Sequence, residues 1–167
     1  MRVWLHAELD PAPGVDLPAL AAWLAETGAP AIRAAGGVLH GLFRPETGEA
    51  PTLLTAWPDD ALAGAAIELL KASTRIVAVR GTPLHPLGAP PQERGDAPWT
   101  FRRAVLAPGQ TADGSRGAFL GPRRPDGRIL LVSLGPEVDL PTLPADAEVL
   151  ESQRATPIPL PEPPARS

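Results

Sequence analysis

The chain has 167 residues, a net charge of -4, 44% apolar and 20% charged residues and 23 prolines, a length that supports one or two small domains with a real core. It has no cysteine, which excludes disulfides, thiolate catalysis and Cys-based zinc or iron–sulfur sites. The charge is scattered without a Lys/Arg stripe, and no stretch approaches the ~20 apolar residues of a membrane span, so nucleic acid and membrane are disfavoured as partners and a cytoplasmic location is expected.

Along the chain, Val3 to Leu9 alternates: Val3, Leu5, Ala7 and Leu9 share one face, and Trp4, His6 and Glu8 the other. That is the period of a half-buried strand. Pro11, Pro13 and Gly14 end it, Asp16 reads as an N-cap, and Leu17, Leu20, Ala21 and Leu24 form a helical stripe continued by Ala31, Ile32 and Ala35. Gly28 and Pro30 predict a kink or split in that helix, because proline lacks an amide donor and crowds the preceding turn. Gly36-Gly37 closes it as a C-cap.

A hairpin follows, with strands over 38–44 and 52–57, then an N-cap at Pro58-Asp59-Asp60. Leu62, Ala65, Ala66, Leu69 and Leu70 form the apolar face of a second helix, and Arg75 to Arg80 a strand ended by Gly81 and Pro83. The order β-α-β-β-α-β is the ferredoxin-like plan, so residues 1–86 read as one α+β domain. Residues 87–98 are Pro-rich and read as a linker.

The second part reads as a helix-poor, mostly β copy over 99–157, with a Pro-rich tail over 158–167. Thr100 to Leu106 is a strand followed by Ala107-Pro108-Gly109, as Ala12-Pro13-Gly14 follows the first. The hairpin Ala118 to Leu134 repeats the order Gly41, Phe43, Pro45, Gly48 as Gly117, Phe119, Pro122, Gly127. At most one helical turn fits near 138–143. Glu148 to Arg154 is the last strand, and Arg154-Ala155-Thr156-Pro157 parallels Arg80-Gly81-Thr82-Pro83. These ordered landmarks suggest a tandem duplication.

Residues 2–86 resemble the dimeric α/β-barrel superfamily, and within it a NIPSNAP-type domain. The resemblance rests on Ala12-Pro13-Gly14, the Pro30-bearing helix ending in Gly36-Gly37, the hairpin Gly41-Leu42-Phe43 to Gly48, and Ala56-Trp57-Pro58-Asp59-Asp60 before the second helix. It covers 99–157 only through hairpin and strand landmarks. A four-stranded sheet with helices on one face leaves the other face open, a larger apolar patch than monomers tolerate. The resemblance implies that two such faces close on each other, here within one chain as a pseudo-dimeric α/β barrel. The face of the second sheet left without helices then needs cover from loops, tail or another subunit, which keeps a homo-oligomer open as an expectation.

Strand parity places Trp4, His6 and Glu8 toward the barrel interior, with Val38, His40 and Leu42 sharing a face of the second strand and Leu53, Thr55 and Trp57 one of the third. Trp4, His6, Glu8, His40, Thr55, Trp57, Arg80 and Arg103 are therefore the candidate pocket residues. His6 and His40 are the candidate general bases, near neighbours if both point inward. His85, in a Pro-flanked turn, reads as structural, and Trp23 and Trp57 as packing. No spacing indicates a metal site, no motif indicates a nucleotide or other cofactor, and no Gly-x-Ser-x-Gly is present. The chain has neither asparagine nor tyrosine, so the Asn–Trp–His set of the superfamily's haem-degrading branch cannot be assembled. Three readings remain: a NIPSNAP-like barrel binding a small apolar molecule between two sheets; a cofactor-independent oxygenase, isomerase or cyclase using His6 or His40; and a structural or protein-interaction module.

Overall fold

Among the described residues, eight antiparallel strands close into one barrel, with two helical stretches packed outside it. The computed structural model describes residues 2–47, 50–92, 97–110, 114–136, 140 and 142–161. The strands are β1 (Val3–Pro11), β2 (Val38–Pro45), β3 (Thr52–Trp57), β4 (Ile76–Pro86), β5 (Trp99–Val105), β6 (Ala118–Leu120), β7 (Leu130–Pro136) and β8 (Glu148–Ile158). Around the barrel they run β1-β3-β2-β8-β5-β7-β6-β4. The first four strands are thus ordered β4-β1-β3-β2 and the last four β8-β5-β7-β6, one pattern used twice. Two seams join the sets: β2 pairs β8 over Leu42–Pro45 with Ala155–Ile158, and β4 pairs β6 only at His85–Leu120 and Pro86–Phe119.

The alternation of β1 divides the core in two. Val3, Leu5, Ala7 and Leu9 pack outward against the helices, together with Leu20, Leu24, Ile32, Leu53, Trp57 and Leu70. Trp4 points into the lumen, where Phe43, Leu54, Leu84, Trp99, Phe101, Phe119 and Val132 meet it. Each sheet face is hydrophobic because each is covered, one by helices and one by the opposite wall.

The first helical stretch runs from Leu17 to Ala34 without a break. Asp16 caps it, its Oδ1 accepting from the Ala19 amide at 2.9 Å. The expected kink takes the form of a π-turn over Leu24–Gly28, in which the Ala29 amide reaches back to the Leu24 carbonyl. Widening the turn ahead of Pro30 accommodates a residue that has no N–H to donate and whose ring crowds the preceding turn. Gly36, at φ +92°, provides the left-handed stop. Gly37 then lies against Trp57, so close that a Cβ there would stand 2.7 Å from the indole. The second helix (Asp60–Lys71) is capped by Asp59, which accepts from the Leu62 amide at 2.8 Å. It buries Ala63, Ala66 and Leu70 and leaves Ala65 exposed, a face rotated slightly from the expected one.

Several expectations are corrected. β4 does not end at Gly81 or Pro83 but runs on to Pro86, and β8 runs on to Ile158 instead of stopping at Arg154. In β4 the ladder alternates, and Pro83 falls where its missing amide would point away from β1, so proline costs no β1–β4 hydrogen bond. Residues 87–92, in the stretch that reads as a linker, are tied to the second set of strands: Pro91 is buried, Gly117 donates to the Ala89 carbonyl and Arg116 to that of Pro90, both at 3.0 Å. The outer face of the second set of strands is covered in part by the stretch before β8, where Leu143 and Ala147, with Leu87, pack on Leu106, Ala118 and Leu131. The helical turn expected near 138–143 falls largely on residues outside those described, as does the tail beyond 161. Among the described residues no helix is long and apolar enough to cross a membrane.

Candidate functional site in the barrel lumen

His6 sits in the lumen because β1 alternates, and β1 lies between β3 and β4, so the side chain is held from both sides. Its ring centroid is 5.0 Å from that of Phe101. Its Nε2 is sealed from solvent and has no hydrogen-bond partner among the described residues. Burial, reinforced by the positive charge of Arg103, lowers the imidazole pKa from 6.5 to about 4, so the ring is neutral at physiological pH.

Beside His6 lies a cavity of about 30 Å³, lined by His6, Glu8, Thr82, Leu84, Phe101, Arg103, Val132, Leu134, Glu151 and Gln153. Glu8 and Arg103 reach it from opposite walls, each partnered across a strand pair: Glu8 with Arg80 at 2.9 Å and Arg103 with Glu151 at 3.9 Å. Arg80 is largely exposed beside Glu8 and does not line the cavity. Of the expected pocket residues, His6, Glu8 and Arg103 come together.

The others do not join them. His40 stacks flat on Trp4, with centroids 4.0 Å apart and planes 11° apart, and is not among the residues lining the cavity. The two histidines thus serve different aromatic partners and do not converge on one cavity. Nor do Val38, His40 and Leu42 share a face. A bulge between Leu39 and Gly41 shifts the register with β3 at His40 and resets the parity, sending Leu42 to the helices and Phe43 into the lumen. Thr55 and Trp57 are also misplaced by the expectation. Trp57 belongs to the helix-facing core, fully buried, and donates through Nε1 to Thr55 Oγ1 at 2.8 Å. That side of β3 faces outward because its inward positions, Leu54 and Ala56, are paired with His6 and Trp4.

The residues that sequence reasoning missed come mainly from the second set of strands: Phe101, Val132, Leu134, Glu151 and Gln153. The signal was the alternation Trp99, Phe101, Arg103, Val105, which separates a lumen face as cleanly as β1 does. His85, expected to be structural, pairs with Asp60 at 2.9 Å at the start of the second helix. Among the described residues no group of three or more His, Asp or Glu side chains is arranged to hold a metal ion.

Chemically, the lumen offers a neutral, weakly basic imidazole, two charged pairs and very little free volume. No family model, curated protein or solved structure matches this chain.

Proposed function

We propose that this chain is a pseudo-dimeric α/β barrel, made of two ferredoxin-like repeats with a NIPSNAP-like first copy, and that it works as a non-catalytic structural or protein-interaction module. The repeated strand order and the paired landmarks of the two hairpins support the duplication. The functional part is carried by one observation: packing leaves only about 30 Å³ beside His6. A water needs about 10–15 Å³ of such space, so this cavity holds water-sized occupants and is too small for an organic substrate. An imidazole with a pKa near 4 is also a poor general base at neutral pH. Native mass spectrometry of protein purified from its own host tests the reading. The expected result is the chain alone, as a self-assembly or with a protein partner; a stoichiometric organic ligand retained by the barrel would overturn it.

The small-apolar-ligand reading survives in a different place, favoured by a groove of about 990 Å³ on the outer surface. Leu17, Pro18 and Ala21 line it on one side, and Ile158 and Leu160 on the other. On this reading the ligand lies against the helix instead of between the sheets. Loss of a retained ligand in Leu17→Glu, with the fold intact, would distinguish the groove from the lumen.

A further inference from the structure

The lumen cavity has a lining that selects for one class of occupant. Arg103 opposes a cation, while Glu8 and Glu151 oppose an anion, and both signs face the same small space. No metal-holding cluster is present among the described residues. Apolar atoms alone do not line it either, because His6, Thr82 and Gln153 bring neutral polar groups to the wall. A sealed ring nitrogen without a partner among the described residues is costly to bury unless something hydrogen-bonds to it. The volume, about 30 Å³, exceeds what one water requires and stays below what an organic molecule requires.

We infer that the space beside His6 is a buried water site, in which one or two ordered water molecules hydrogen-bond to His6 Nε2 and to the polar wall. The neutral imidazole holds this water and does not activate it, so the site completes the packing of the lumen. Leu84, Phe101, Val132 and Leu134 close its apolar sides, and the Glu8–Arg80 and Arg103–Glu151 pairs flank it.

A high-resolution crystal structure of the full chain is the direct test, with a second crystal pressurised with xenon. The expected result is water density within about 3.2 Å of His6 Nε2 and no xenon in the cavity. Xenon there without water would mean a dry apolar void and overturn the inference, as would an organic molecule. In solution, oxygen-17 relaxation dispersion counts long-resident waters. Wild type should exceed His6→Leu by one or two such waters, and His6→Gln, which keeps a hydrogen-bonding side chain, should retain at least one of them. An equal count in wild type and His6→Leu overturns the inference. Should His6→Leu fail to fold, the wild-type crystal decides alone.

Discussion

His6 couples the lumen to pH. Its folded pKa, lowered to about 4 by burial and by Arg103, lies below the unfolded value of 6.5. As pH falls below about 6.5 the unfolded chain takes up the proton first, so stability declines with pH and levels off once the folded form protonates near 4. The full loss is on the order of 3 kcal/mol. Chemical denaturation across this window should show that slope in wild type and a flatter one in His6→Gln; parallel curves would mean His6 contributes nothing to it. Two hydroxyls on matching strands give a sharper contrast. Thr55 faces Leu5 on β1 and accepts from the Trp57 indole, whereas Ser133 faces Arg102 on β5 and is fully buried with no partner at Oγ among the described residues. Thr55→Val should therefore cost about 1–3 kcal/mol by stranding the indole N–H. Ser133→Ala should be neutral or stabilising by up to about 1 kcal/mol, since no hydrogen bond is lost. Equilibrium unfolding of both variants checks the pair.

Among the elements, β4 and β8 are the longest strands, and each carries a bulge in its first half. Val77 falls between the positions paired with Pro11 and Asp10, and Leu150 between those paired with Ala104 and Arg103. Both are among the exposed large hydrophobics, Val77 at 67% and Leu150 at 46%. A bulge twists an uncovered edge away from further pairing. β4 needs this because it meets β6 only at its last two residues. Its remaining odd-numbered amides point toward that thin seam. Hydrogen exchange should therefore find Val79 and Gly81 fast and the intervening Arg80 and Thr82, bonded to β1, protected; uniform protection would show the seam to be covered. The sequence announced most of these elements. Alternation in Val3 to Leu9, the caps at Asp16 and Asp59 and the stop at Gly36 are local rules, and the chain follows them. The bulge at His40 was not legible, because nothing in Leu39-His40-Gly41 distinguishes a bulged residue from a paired one. The length of β4 was misread for a related reason: Gly81-Thr82-Pro83 is turn chemistry, yet a strand tolerates it when the missing donor faces a gap.

For the molecule as a whole, the repeated landmarks carried the idea that the two parts shield each other, and the strands do form a single closed sheet. The candidate site was legible in part. Parity found His6 and Glu8, but which second-half residues face them depends on how strands separated by a hundred residues align, and no local pattern encodes that. Pro157 opposite Phe43 and Ala155 opposite Pro45 are such pairings. They also set a schedule. β8 inserts between β2 and β5, so the wall cannot be completed until the last strand has left the ribosome. Until then Phe43 and its lumen neighbours lack their opposing wall. Contacts of such long sequence separation form slowly, so the lumen side of a nascent chain stays uncovered through most of its synthesis.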